Sequence, residues 1–369
     1  MKLRIILVAI ALSILTGCSK QEIEPKSTES LLIYIAANNN LSSISIKNYE
    51  DMLKGFIPDH RDNSKILMVM MRNKSEEPTL KRVFKDETGE IYSTPIATFD
   101  DKFSAVDTRY FRAVLQSAEK AYPAQKRGLI LWSHGTGWLP PNTRSTKSFG
   151  EDNHNEMDIK DMVASIPHKY DYILFDACFM GSIEVAYQMR DKCSYLISSP
   201  AEIYANGFPY DKIIEPLLND PLGNNCAGLK MVCQQYMDLY KTSSGTISLV
   251  KCNELDNLAE CVREINTKYK SERLMVSKDY IQRYYVNNYK YFYDLDNYIS
   301  KYATDLYPQF KSALDRCILY EGHSDILLNS VQLKNCCGLS TYIWQDSALN
   351  EYYKTLDWSI KTEPDSFEF

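Results

Sequence analysis

The chain has 369 residues, 44% of them hydrophobic and 24% charged, which is ordinary for a globular protein and enough for a large core in one elaborated domain or two smaller ones. Its formal net charge of -6 gives no electrostatic reason to expect a nucleic-acid partner.

The N-terminus reads as a targeting segment and not as part of the fold. Lys2 and Arg4 precede an apolar run, residues 5–15, which ends in Leu15-Thr16-Gly17-Cys18. A charged start, a short apolar stretch and small residues before a cut make a secretory signal. The run is too short to span a bilayer comfortably as a mature helix. The cysteine directly after Leu-Thr-Gly resembles the bacterial lipobox, which implies that Cys18 is lipidated and becomes the first residue of the mature protein. Residues 1–17 are then a lipoprotein signal peptide and residues 18–30 a polar tether. The expected location is the bacterial cell envelope, lipid-anchored at the outer membrane or cell surface.

From residue 31 onward, apolar runs alternate with amphipathic segments. Residues 31–37 (LLIYIAA) read as a buried strand, 44–53 as the helix after it, and 65–71 (KILMVMM) as a second strand. Residues 80–98 look like a hairpin turning at 86–89, and 109–121 like a helix ending near Pro123. Residues 128–133 (GLILWS), 172–175 (YILF) and 194–198 supply three more core strands. Continuous apolar strands separated by helices predict a mostly parallel sheet covered on both faces. Residues 139–156, rich in Pro, Asn, Thr, Ser and Gly, predict a long exposed loop without regular structure. Beyond Pro221 the pattern is mostly helical, with late strands at 247–250 and 339–343. The division expected is a core at 31–220 and a C-terminal part at 221–369 packed on it.

Two strand ends carry the reactive side chains. One reads Leu129-Ile130-Leu131-Trp132-Ser133-His134-Gly135, the other Tyr172-Ile173-Leu174-Phe175-Asp176-Ala177-Cys178. In an open α/β sheet ligands bind beyond the carboxyl ends of strands. A thiolate is the reactive form of cysteine, and a neighbouring imidazole can take its proton and later return it to a leaving amine. The backbone N–H groups of Gly135 and Cys178 are candidate donors to an oxyanion.

This pair of motifs resembles the caspase, gingipain and clostripain group of peptidases. Ser198-Ser199-Pro200-Ala201-Glu202, Gly207-Phe208-Pro209-Tyr210, Asp294-Leu295, Gly338–Ile343 (GLSTYI) and Tyr352–Trp358 (YYKTLDW) extend the likeness to the clostripain family over residues 30–360. The resemblance implies a caspase-like fold and a monomeric cysteine endopeptidase acting on proteins or peptides, with His134 and Cys178 catalytic. It implies that Asp176 sits in a pocket selecting Arg or Lys before the scissile bond. Some relatives carry a second acidic residue in this loop where this chain has Asn206, so either the basic preference is weaker here or Glu202 contributes. The family's habit of cleaving itself between the two motifs points to Lys147, then Arg144, as self-cleavage sites. No cofactor is required by this chemistry, and the resemblance leaves a calcium requirement open.

The other residues read more blandly. Beyond Cys18 and Cys178, eight of the 10 cysteines remain, with no metal-ligand spacing, and are expected to be mostly small buried apolar groups. His60, His154, His168 and His323 are expected at the surface or in structural roles. The tyrosine-rich stretch 280–302 is expected to be a helical packing segment. The competing function is an inactive surface lipoprotein that binds peptide or glycan on an old peptidase fold.

Overall fold

The apolar runs become the centre of a nine-stranded sheet in a computed structural model that describes residues 27–141, 149–286 and 290–363. In chain order the elements are β1 (Ser27–Ala36), α1 (Ser42–Lys54), β2 (Lys65–Arg72), β3 (Thr79–Lys85), β4 (Ile91–Thr98), α2 (Thr108–Ala121), β5 (Ala124–Trp132), β6 (Phe149–Asp152), β7 (Asn155–Met157), α3 (Ile159–Ser165), β8 (Tyr170–Asp176) and α4 (Ile183–Met189). There follow β9 (Cys193–Ser198), α5 (Tyr210–Leu218), α6 (Gly223–Tyr240), β10 (Thr246–Lys251), α7 (Leu255–Lys268), α8 (Lys270–Leu274), β11 (Tyr293–Asp294), α9 (Leu295–Ile299), α10 (Tyr307–Cys317) and β12 (Ile318–His323).

The sheet runs in the order β12-β10-β9-β8-β5-β1-β2-β3-β4. From β9 to β2 all neighbours are parallel, and antiparallel strands complete both edges. Alternate residues of the central strands feed two separate cores, as a period of two on a sheet buried on both sides requires. Leu32, Tyr34, Met68, Leu129, Leu131, Ile173 and Phe175 pack with α2, α3, α4, α7 and α10 through Phe111, Met162, Ile183, Leu258 and Phe310. Leu31, Ile33, Val69, Ile130, Trp132, Tyr172 and Leu174 pack on the other face with Met52 of α1, Ile213 and Leu217 of α5, and Leu229 and Tyr236 of α6. The architecture is the expected caspase-like sheet flanked by helices, and after residue 220 the chain adds β10 and β12 to that same sheet.

Three expectations are corrected. Residues 139–156 are not one exposed, irregular loop: Leu139 is buried, and β6 and β7 form a hairpin in which Phe149, Glu151 and Asp152 are also buried. The polar composition misleads because the hairpin's partners are distant polar groups. Asp152 accepts from Asn38 Nδ2 at 2.6 Å and from Arg72 Nε at 3.2 Å, and Glu151 O accepts from Asn39 Nδ2 at 2.7 Å. Among the described residues of 280–302 the α-helix is only the five-residue α9, N-capped by the Asp294 side chain, which accepts from Asn297 N at 2.7 Å. Of the late strand expected at 339–343 only Ser340–Thr341 forms, paired with β11 outside the main sheet. The strand that does join the sheet, β12, has every residue half-buried, so it shows no apolar run.

Candidate active site

The two reactive motifs leave the sheet side by side. Trp132 of β5 is paired with Asp176 of β8, and Ser133 N donates to Asp176 O at 3.3 Å. His134 and Cys178 are each two residues beyond this last pair, so one register sets both. The contact between the two turns leaves no room for a side chain at Gly135, where a Cβ would lie 2.6 Å from Cys178 O. Ser133 locks its turn from below, donating to Ala36 O at 2.6 Å and accepting from Glu151 N at 3.2 Å.

His134 is 23% exposed, with Nε2 2.6 Å from Asn40 Oδ1 and 3.9 Å from Glu151 Oε2. Asn40 lies in the turn between β1 and α1, and Glu151 on β6. The amide oxygen of Asn40 can only accept, so it favours a proton on Nε2.

Cys178 is partly buried, and its thiol turns toward the chain after β9. Sγ donates to Ile203 O at 3.7 Å and accepts from Ile203 N at 3.4 Å. Burial pushes the thiol up to about 11, and the nearby carboxylates of Glu202 and Asp176 act in the same direction. These surroundings do not favour the thiolate, so its formation depends on a base. The next residue, Phe179, holds a left-handed backbone with φ 61°, costly for a bulky side chain. Its N–H bonds Ala201 O at 2.9 Å and its ring stacks on Phe292 at 4.5 Å between centroids, which supports the turn. Among the described residues neither the Gly135 nor the Cys178 N–H donates to a backbone carbonyl.

Asp176 points to the opposite side of the sheet from this cluster. It is 3% exposed, and one oxygen accepts from Tyr210 OH at 2.9 Å and Phe208 N at 3.3 Å. Burial pushes its carboxyl up to about 7, partly offset by these two donors. Gly207, at φ +63°, lies directly over it: a Cβ there would sit 2.3 Å from the carboxylate oxygen. Glu202 is half-buried, and burial raises its carboxyl. Asn206 is exposed, and its backbone oxygen accepts from Asn48 Nδ2 at 2.9 Å. The strand-end motifs and the 199–210 segment therefore meet at the carboxyl ends of β5, β8 and β9, with Asp176 beneath that segment. Cys18, Arg144 and Lys147 lie outside the described residues.

Sequence reasoning passed over Asn40, Asn48 and Glu151 and named Tyr210 only as part of a motif, yet all four touch these groups. One signal was present for Asn40: three consecutive amides, Asn38-Asn39-Asn40, directly follow a core strand, at the end of the sheet where ligands bind. Of the expected structural histidines, His323 bonds Glu321 at 2.8 Å and His154 is exposed, 3.6 Å from Glu151. Six of the cysteines are buried, and none of those described is in a disulfide.

Comparison with known proteins identifies relatives of this chain. Residues 33–367 match the model of the clostripain family of peptidases. The chain is 25% identical over 234 residues to clostripain of Hathewaya histolytica, a match that takes in 53% of this chain and 43% of that longer protein. Among solved structures, an inactive zymogen C11 protease from Parabacteroides distasonis is 30% identical with a TM-score of 0.82, covering 93% of this chain and 100% of that one. A secreted C11 cysteine protease from Bacteroides thetaiotaomicron, solved with an irreversible peptide inhibitor, is 27% identical with a TM-score of 0.79, covering 91% of this chain and 99% of that one. A family match over nearly the whole chain, joined to the same fold, shows that the protein belongs to the clostripain family of cysteine peptidases.

Proposed function

We propose that this chain is a cysteine endopeptidase that cleaves after Arg or Lys, with Cys178 as nucleophile and His134 as acid and base. The observation that carries the reading is the shared register of β5 and β8, which brings imidazole and thiol to equivalent positions beyond neighbouring strand ends. His134 takes the Sγ proton, and the thiolate attacks the scissile carbonyl. The Gly135 and Cys178 N–H groups donate to the oxyanion as it forms. Collapse of the intermediate breaks the C–N bond, and the imidazolium returns its proton to the departing amine. Water, deprotonated by His134, then hydrolyses the thioester. Asp176, beneath the 199–210 segment, supplies the charge for a basic side chain.

The test is labelling with a thiol-reactive peptide that ends in Arg or Lys. The enzyme should be modified at Cys178 and lose activity in proportion, and His134→Ala should slow the labelling. Failure to label folded protein would favour a peptide- or glycan-binding surface protein instead. Cys178→Ala should abolish hydrolysis while leaving the fold intact.

The thiol's hydrogen bonds to Ile203 suit a resting precursor. A relative of the same fold is an inactive zymogen. We propose that activation follows self-cleavage at Lys147–Ser148, with Arg144–Ser145 as the second site. Wild-type protein should then separate into two fragments on denaturation, with a new N-terminus at Ser148 or Ser145, and Cys178→Ala should stay whole. Cleavage of the Cys178→Ala chain at the same bond without added protease would refute this.

Export with a lipid on Cys18 rests on residues 1–18 alone. Cys18→Ser should abolish metabolic lipid labelling and detergent partitioning, and unchanged partitioning would remove the anchor from the proposal. The secreted relative supports export.

A further inference from the structure

We infer that Asn40 is a positioning residue for the reaction: its side-chain carbonyl fixes the tautomer of His134, so that Nδ1 is the nitrogen that exchanges a proton with the thiol. The inference rests on the assignment of His134 as the partner of Cys178.

The 2.6 Å contact between Asn40 Oδ1 and His134 Nε2 is short and directional. The oxygen of the Asn40 amide, and not its nitrogen, is placed against Nε2. Asn40 belongs to a turn that its two neighbours build. Asn39 Oδ1 accepts from Leu41 N at 2.7 Å, and Asn39 Nδ2 donates to Glu151 O at 2.7 Å. Asn38 Nδ2 donates to Asp152 at 2.6 Å, and Asn38 O accepts from Asn153 N at 3.0 Å. Two amides thus tie the turn to β6, and the third presents its side chain to the imidazole. Asn40 is itself exposed, so the fold has little call on its side chain.

The chemistry follows from what an amide oxygen can do. It accepts and does not titrate, so the imidazole nitrogen it meets must carry hydrogen. A neutral ring with hydrogen on Nε2 has its lone pair on Nδ1. The proton leaves Sγ for Nδ1, the sulfur keeps the electron pair, and the imidazolium keeps its Nε2–H bond to Asn40. That bond strengthens as the ring becomes charged, so it favours the thiolate–imidazolium state over the thiol–imidazole state. This help matters here because burial holds the thiol high. A charged group also faces the ring: Glu151 on β6, 3.9 Å from Nε2. His154 faces Glu151 from the β6–β7 turn at 3.6 Å. Glu151 is beyond hydrogen-bond distance and biases the ring by charge; Asn40 sets its orientation.

Three variants test this in the full-length protein: Asn40→Ala, Asn40→Asp and His134→Ala. Two readouts are needed, steady-state hydrolysis of one peptide and the pH dependence of Cys178 alkylation by iodoacetamide, a small neutral probe that needs no substrate pocket. Asn40→Ala should lower kcat by roughly tenfold to a hundredfold, the loss of one hydrogen bond to a charged group, with KM changed little. Its alkylation rate should fall at neutral pH and recover only at higher pH, because the thiolate has lost support. Asn40→Asp keeps the acceptor and adds charge, so it should restore most of the rate and hold the alkylation profile at or below the wild-type pH. An Asn40→Ala enzyme with unchanged kcat and alkylation profile, beside an inactive His134→Ala enzyme, would overturn the role of Asn40 while leaving the catalytic pair intact. Loss in Asn40→Ala that Asn40→Asp does not restore would also overturn it, since it would mean a structural requirement for the amide. Full turnover by His134→Ala would overturn the pair and this inference with it.

Discussion

Trp132 and Asn206 are joined through one buried side chain: the indole N–H donates to Asn48 Oδ1 at 3.0 Å, and Asn48 Nδ2 donates to Asn206 O at 2.9 Å. Trp132 ends the strand that leads into His134, and Asn206 lies in the segment that covers Asp176. An amide that both accepts and donates is required, because its two partners are a donor and an acceptor. Asn48→Leu should therefore leave the indole N–H without its buried partner and release the 203–209 segment. The expected cost is about 1–3 kcal/mol of stability. It should also raise KM several-fold for a basic substrate while alkylation of Cys178 by iodoacetamide stays close to wild type. Urea denaturation and a substrate titration check this, and an unchanged KM would separate Asn48 from substrate selection.

The proposed role of Asp176 in substrate recognition carries a pH dependence with a definite sign. Burial raises this carboxyl from about 3.8 to about 7, so in the free protein it is neutral below that pH. Its contribution to folding is fully present below 3.8 and is lost as pH rises through about 7. A bound Arg or Lys side chain reverses the preference by compensating the charge, so binding below pH 7 should expel a proton. Calorimetry of Cys178→Ala protein with an Arg peptide, in buffers of different ionisation enthalpy, should show that release at pH 6 and little at pH 8. Asp176→Asn should abolish it and reduce discrimination against neutral residues by roughly ten- to a hundredfold. Equal proton release by both proteins would place the recognising group elsewhere.

Glu184 makes a comparable prediction for stability. It is completely buried on α4, and Oε1 accepts from Tyr342 N at 2.8 Å and Thr341 Oγ1 at 3.0 Å. Burial lifts its carboxyl from about 4.5 to about 7, against the pull of those donors. A raised carboxyl stabilises the fold most below its unfolded value and loses that advantage as pH climbs through the folded one. The shift corresponds to on the order of 3 kcal/mol lost between about pH 4.5 and 7. Asp176 and Asp294, also raised by burial, act in the same direction. Denaturation midpoints should fall from pH 5 to pH 8, and Glu184→Gln should flatten that fall.

The C-terminal end is held by a buried ion pair. Arg273 bonds both oxygens of Glu363, at 2.6 and 2.7 Å, and its Nε donates to Tyr298 OH at 3.1 Å. Glu363→Ala leaves a buried guanidinium without its carboxylate and should cost about 3–5 kcal/mol. Arg273→Met with Glu363→Leu removes both charges and should recover most of that loss. Thermal unfolding of the two variants makes the comparison. If the single and double variants melted together, the cost would be packing and not an unpaired charge.

The sequence made the centre of this molecule legible because the central strands are buried on both faces. Residues 66–71, 129–132 and 172–175 are unbroken apolar runs, and the reactive residues come just after the last two. What escaped notice depends on groups far apart along the chain. Asp152 looks like a surface residue until Asn38 and Arg72 meet it, and Asn40 looks like a turn residue until His134 does. β12 escaped for a different reason: as an edge strand with half-buried residues it carries neither an apolar run nor a clean alternation.

All strands on one side of the β5–β8 contact come from residues 27–132, and all those on the other side come from residues 170–323. A chain cut at any bond between residues 141 and 149 would therefore become two polypeptides meeting edge to edge along that contact. One would own the imidazole and the other the thiol, so neither could catalyse alone. Ladder hydrogen bonds, both apolar layers and the grip of Asp152 on Asn38 and Arg72 would still bind the halves. The nicked protein would behave as an obligate heterodimer, passing intact through native chromatography and parting only when the sheet itself unfolds.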